Sequence, residues 1–266
     1  MMQRLFDSDH PDLAFTLNNI GFTYAKLNDN SKALECQLKA LEMRQRLYDN
    51  TDHPDIASSL NNIGNLYDEL NEHHKALEFK LKALRSSQNV YQFDNPDVAM
   101  LLNDVGFTYV KLNDLNKALD YQLRALDMME KIYSAEHPHK SFILNNIGFA
   151  YSYLNEHQQA LEFHLKALKM NETLYENKDH PDLARSLYNV GKAYENLNDH
   201  LKMLDFKVKG LQMFQRLVYY SNNSNANTTD LIRTLFNSGK SILIYKNKYF
   251  KLKYFEYDEF QYFKIR

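Results

Sequence analysis

The apolar positions of "HPDLAFTLNNIGFTYAKLND" return at helical spacing rather than alternating. Leu17, Ile20, Tyr24 and Leu27 fall at i, i+3, i+7 and i+10, drawing one stripe along an amphipathic helix. Pro11 marks its start: proline suits the first helical position and pushes the preceding His10 out of the α region, while Asp12 complements the positive helix end. After the turn "LND", the segment "SKALECQLKALEMRQRLY" puts Ala33, Leu34, Leu38, Leu41 and Leu47 on a second stripe. The pattern predicts two helices, A and B, that bury these stripes on each other and on the next pair.

The pair recurs. All 5 prolines stand in register at Pro11, Pro54, Pro96, Pro138 and Pro181, and six of the 7 glycines do the same at Gly21, Gly64, Gly106, Gly148, Gly191 and Gly239. Residues that usually punctuate loops are here periodic, which is the mark of a stacked array. Glycine inside a helix costs about 1 kcal/mol, so its return predicts close approach of the paired helix. The repeats read 11–53, 54–95, 96–137, 138–180 and 181–221, then a polar Asn-rich linker at 222–229 and, at 230–266, a degenerate sixth repeat or C-terminal cap. Residues 1–10 match the stretch before Pro54 and read as the end of a truncated preceding repeat, so a piece of a longer array is expected.

Counted from Gly21, Tyr24 lies at +3, Ala33 at +12 and Ala40 at +19, and the set returns as Gly64, Tyr67, Ala76, Ala83; Gly106, Tyr109, Ala118, Ala125; and Gly148, Tyr151, Ala160, Ala167. The fifth repeat keeps Gly191 and Tyr194 but has Met203 and Gly210 for the alanines. This grammar resembles the tetratricopeptide repeat (TPR). The longer unit and "HPD.A..LNN" resemble its kinesin light chain and nephrocystin-3 kind, and "LNEHQQALEFHLKAL" is more weakly similar to the Pins/LGN scaffolds. The resemblance implies an all-α, right-handed superhelix of antiparallel helix pairs. It also implies a non-catalytic scaffold or adaptor that binds an extended peptide in a groove lined by helix A. Two alternatives stay open: an accessory array of a longer enzyme or signalling protein, and a kinesin-light-chain-like cargo adaptor, although the glycine series stands where that family often has alanine.

By that resemblance, the helix A face beside the core stripe lines the groove. It carries an amide column, Asn18 and Asn19, Asn61 and Asn62, Asn103 and Asp104, Asn145 and Asn146, then Asn189 and Asn237. Asparagine is a poor helix former, and its carboxamide offers a donor and an acceptor to a peptide backbone. It serves equally to tie neighbouring helices together. Between the amides, Phe15, Phe22, Met100, Phe107, Phe142 and Phe149 offer apolar pockets, and Ser58 and Asn65 make the second repeat polar, with Asp68 and Glu69 acidic at its edge. Arg185, Tyr188, Lys192, Arg233 and Lys240 make the far end basic, so a partner with apolar anchors and an acidic residue is expected unless these cations form a solvated face.

Composition removes other classes. A net charge of -2 gives no reason to expect nucleic acid, and no run approaches the ~20 apolar residues of a membrane span. The single Cys36 excludes an internal disulfide framework and fits a reducing, cytoplasmic setting. "NSGKS" at 237–241 imitates a P-loop end but has Thr234 at its first glycine position, and His10, His53, His137 and His180 are a repeat apart rather than clustered. No nucleophile, base and oxyanion set assembles, so neither enzyme activity, cofactor, metal nor small-molecule substrate is expected.

Overall fold

The computed structural model describes residues 9–221. The opening segment through residue 8, the 222–229 linker and the 230–266 segment with Arg233, Asn237, Gly239 and Lys240 lie outside the described residues. Among those described there are ten α-helices and no strand: α1 (Pro11–Lys26), α2 (Asn30–Leu47), α3 (Pro54–Glu69), α4 (His73–Val90), α5 (Pro96–Lys111), α6 (Leu115–Ile132), α7 (Pro138–Tyr153), α8 (His157–Leu174), α9 (Pro181–Asn196) and α10 (His200–Ser221). The first unit runs through Leu174 and the second begins at Tyr175. In the first, α1–α2, α3–α4, α5–α6 and α7–α8 pack as pairs, and α2, α4 and α6 also pack on the next A helix. It is an all-α solenoid of helix pairs; the second unit pairs α9 with α10.

The punctuation residues set every boundary. Each A helix has proline at its start, behind a cap residue held in the extended region, such as His53 at φ -146°. The cap is the imidazole itself: Nδ1 of His10, His53, His137 and His180 accepts from the backbone N–H two residues on, as Asn95 Oδ1 does for α5. Three of these rings also stack on the tyrosine that ends the preceding B helix, Tyr48 on His53, Tyr133 on His137 and Tyr175 on His180. Tyr48 and Tyr175 then donate their hydroxyls to Asp55 and Asp182. At the α2–α3 junction the "HPD" triplet therefore fastens the new helix to the end of the last one.

A Leu-Asn turn, "LND" after α1, α5 and α9 and "LNE" after α3 and α7, closes each A helix. Asn28, Asn71, Asn113, Asn155 and Asn198 all take φ near 60°, the left-handed region that asparagine tolerates better than other side chains. Asp29 N–H reaches back to Tyr24 O while Asn28 N–H bonds Ala25 O, which satisfies the last carbonyls of α1 in a Schellman arrangement. Asp29, Asp114 and Asp199 then cap the following B helices by accepting from Lys32, Lys117 and Lys202 N–H.

The core forms where the A stripe meets the B alanines. Ala33, Ala40, Ala76, Ala83, Ala118, Ala125, Ala160 and Ala167 are fully buried, as are Ile63, Val105 and Ile147. One continuous cluster of buried apolar residues runs from Leu41 of α2 to Ile147 of α7. The predicted stripe of α1 is corrected at two positions. Leu27 is the C-cap residue rather than part of the helix and is 69% exposed, and Ile20 is 41% exposed, whereas its counterparts Ile63 and Val105 are buried between two B helices. Among the described residues no B helix precedes α1 to cover Ile20.

Candidate functional site

Backbone of the paired helix comes within 3.0–3.2 Å of a Cβ placed at Gly21, Gly64, Gly106 or Gly191, as expected, but the nearest atoms at all five glycines belong to a polar side chain. A methyl at Gly21, Gly64, Gly106, Gly148 or Gly191 would meet Gln37, Lys80, Gln122, His164 or Lys207 at 2.7–2.9 Å. These five residues stand sixteen positions after their glycines, one per B helix, and are 0–2% exposed. The missing side chain on helix A makes room for a long polar one on helix B. The helix B stripe as read from leucine and alanine misses this column. Its signal was the pairing within each repeat: the position four after the glycine is Asp68 or Glu195 where the column is lysine, and Ala25, Val110 or Ser152 where it is glutamine or histidine.

Each member finds a different solution. Gln37 Nε2 donates to Asn18 O at 3.0 Å, and His164 Nδ1 lies 3.1 Å from Asn145 Oδ1. Lys80 Nζ donates to Asp68 Oδ2 at 2.7 Å and to Thr108 Oγ1 at 3.0 Å, so the pair bridges the second and third repeats. Burial pushes the Asp68 carboxyl up, but the charge and hydrogen bond of Lys80, with those of His73 and Thr108, outweigh it and hold the group below the usual carboxylate range. Asp68, expected at an exposed acidic edge, is thus buried and neutralised. In the second unit Lys207 Nζ meets Glu195 Oε2 at 3.0 Å at the same repeat address. Gln122 is fully buried with neither amide atom hydrogen-bonded among the described residues. Replacing it by methionine, similar in length and without the amide, is expected to raise stability by about 1 kcal/mol, read as an upward shift in melting temperature.

The amide column forms a ladder across the A helices. Asn62 donates to Asn18 Oδ1 and Asn146 to Asn103 Oδ1, both at 2.9 Å; between them Asp104 Oδ2 accepts from Asn61 at 2.9 Å. Asn18, Asn103, Asn145, Asn146 and Asn189 are buried, and Asn61, Asn62 and Asp104 half-buried. Burial raises the Asp104 carboxyl above its usual range against the pull of Lys80 and of its two asparagine donors. The other predicted groove residues stand further out. Asn19 and Asn65 are exposed, Phe22 is 46% and Phe107 37% exposed, and half-buried Phe149 packs edge-on against His164. In the second unit exposed Arg185 pairs with Asp182, and Lys192 with Glu195 at 3.0 Å.

The second repeat carries a notch. Ser58 stands where the first, third and fourth repeats have Phe15, Met100 and Phe142, and Ser87 where Arg44, Met129 and Asn171 stand. The side chains removed leave a cleft of about 360 Å³ between α3, the end of α4 and α5, lined among others by Asp55, Ser58, Asn61, Ser87, Asp97 and Met100. Among the described residues no group of His, Cys, Asp or Glu forms a metal cluster, and no helix is long and apolar enough to cross a membrane.

A tetratricopeptide repeat family model matches residues 1–46, 32–89 and 97–173, more than half of the chain. No curated protein sequence matches it. Among solved structures the chain is similar to BtubC (BKLC) from P. vanneervenii, with 23% identity over 82% of this chain and 84% of that one at a TM-score of 0.66. It is similar also to a Podosopora anserina putative kinesin light chain of nearly identical TPR-like repeats, with 13% identity over 82% and 100% at 0.64. A third likeness is to a STAND protein with a tetratricopeptide repeat sensor from Pyrococcus horikoshii, with 17% identity over 85% of this chain and 32% of that one at 0.63. The fold, the periodic glycine, tyrosine and alanine positions and the family match agree: the chain belongs to the tetratricopeptide repeat family.

Proposed function

We propose that the protein is a non-catalytic interaction scaffold that binds an extended peptide segment of a partner protein along the exposed face of its A helices. The observation that carries this reading is the pair of exposed aromatics at one repeat address, Phe22 and Phe107, flanked by exposed Phe15, Asn19 and Asn65. Large apolar side chains presented in register to solvent, with amides between them, suit a partner's apolar anchors and backbone. The amide ladder supports the same reading indirectly, because it holds neighbouring A helices in register and so spaces these aromatics at a fixed pitch.

The test uses residues that the fold does not need. Asn62 and Asn146 hold their neighbours, so their loss would loosen the repeats as well as any peptide contact. Random peptides displayed on phage and selected on the purified chain are expected to bind through the A face. The Phe22→Ala/Phe107→Ala variant should then weaken the selected peptides by at least about tenfold while leaving the melting temperature within a few degrees. Undiminished binding by that variant would remove the A face from the reading.

A further inference from the structure

We infer that the rung between Asn61 and Asp104 is a proton-operated switch in the amide ladder. With the Asp104 carboxyl protonated, the Asn61 amide turns over and accepts from its O–H; with the carboxyl ionised, the amide turns back and donates. The switch holds whatever the A face binds. The ladder reverses its polarity at this rung. In the rungs on either side the later helix donates to the earlier one, Asn62 Nδ2 to Asn18 Oδ1 and Asn146 Nδ2 to Asn103 Oδ1. Asp104 stands at the repeat address of Asn62 and Asn146 but has no side-chain N–H, so here the earlier helix donates, from Asn61 Nδ2 to Asp104 Oδ2. The reversal leaves Asn61 Oδ1 buried with no donor among the described residues. The carboxyl is poorly served as well: its other donor is Asn103 at 3.5 Å, whereas an ionised carboxylate has about four lone-pair sites to fill.

A proton on Asp104 repairs both defects. The 2.9 Å between the two side chains serves an O–H···O bond as well as the present N–H···O bond, so turning the amide over puts Oδ1 on the new donor without moving either helix. The freed Nδ2 then has the Ala57 carbonyl four residues back. Asn145 uses that arrangement at the same address, with Nδ2 on Ser141 O at 3.2 Å and Oδ1 facing His164. The groups around the rung favour the neutral acid. Lys80 of α4 pulls toward ionisation, but its ammonium is hydrogen-bonded to Asp68 and Thr108. Asp68 of α3 repels a second negative charge, and burial, the largest influence, raises the Asp104 carboxyl above its usual range. Lys111, on α5 itself, lies toward Asp68 Oδ1 at 3.8 Å, and the side chains that α6 and α7 turn to this stretch of α5, Gln122 and Asn146, are neutral. The half-buried pair belongs to the A face, so the proton also decides whether that face carries a negative charge at the seam between the second and third repeats.

A pH titration of the isotope-labelled full chain, followed in NMR spectra by the Asp104 carboxyl carbon and the Asn61 side-chain amide, tests the switch. The expected result is a carboxyl midpoint between about pH 5 and about pH 8, at least about one unit above the ~3.9 of an unperturbed aspartate, with the Asn61 amide shifting at the same midpoint. Asp104→Asn supplies an N–H at every pH and fixes the turned-over amide. Asn61 in that variant should keep one shift throughout, matching the acid limit of the wild type, which separates a turned amide from a nearby change of charge. Stability gives a second reading. The unfolded chain releases the Asp104 proton near pH 3.9 and the folded chain keeps it to higher pH, so this group's contribution is whole in acid and is lost as the pH rises through the folded midpoint. The urea midpoint of Asp104→Asn should therefore rise relative to that of the wild type across the same window. A carboxyl midpoint outside the window, an Asn61 amide that does not follow it, or a gap between variant and wild type that stays constant with pH overturns the switch. The wild-type titration decides alone if the variant folds poorly.

Discussion

Replacing Lys80 by alanine is expected to cost about 3–5 kcal/mol, the largest loss from any single substitution considered for this fold. The side chains of Lys80 and Asp68 are 2% and 4% exposed, so removing the ammonium leaves a carboxylate out of water with only Thr108, His73 and a more distant Lys111 to compensate. The cost is the unpaired charge rather than the worth of the ion pair, and the first repeat shows how to separate the two. There the same addresses hold Ala25 and Gln37, and the glutamine donates to the Asn18 carbonyl. The double variant Asp68→Ala/Lys80→Gln copies that arrangement, and Thr108 keeps its bond to the Asp104 carbonyl at 3.1 Å. It is expected to recover all but about 1 kcal/mol, because a buried pair exchanged for a satisfied neutral set is close to neutral. Urea denaturation followed by circular dichroism measures both, and amide exchange in α3–α6 localises the change. A loss under about 1 kcal/mol in the single variant would mean that this pair does not hold the seam between repeats.

That pair also marks the limit of what the sequence made legible. Boundaries were readable because their chemistry is local: proline excludes its predecessor from the helix, and asparagine tolerates the left-handed turn, whatever packs outside. Pairing of A on B followed from the stripes and the alanines, and the family from their spacing. Lys80 was not readable in the same way, since one repeat alone shows a lysine amid "KLKAL", indistinguishable from the solvated Lys82 two residues on. Its burial depends on a glycine sixteen residues earlier and on Thr108 in the next repeat, so only comparison between repeats carried the signal. The groove face divides similarly. Phe22 and Phe107 follow from helix register, whereas the donors of Asn61 and Asn62 are taken up by partners more than forty residues away.

Acidification should destabilise the chain through His164 before the lysine-paired carboxylates Asp68 and Glu195 contribute. The ring is 2% exposed, sits against Gly148 and under Phe149, and places Nδ1 on Asn145 Oδ1; burial pushes its pKa down to about 4. In the unfolded chain the same group titrates near 6.5. As pH falls through that value the unfolded state takes up a proton that the folded state refuses, so stability drops progressively from about pH 6.5 and levels off for this group near pH 4. The gap corresponds to about 3 kcal/mol at the lower end. Asp68 and Glu195, held below the carboxylate range by their lysines, lose their contribution only at still lower pH, and Asp104, raised by burial, works in the opposite sense. The difference between the wild type and His164→Gln isolates the histidine, because Gln37 and Gln122 already occupy this address in sister repeats. Urea midpoints measured from pH 7 to pH 4 are expected to converge on the variant's favour, with His164→Gln losing the slope between pH 6.5 and 4 and the wild type retaining it. Parallel profiles would show that His164 titrates alike in the folded and unfolded chain, which would overturn the burial of a neutral ring.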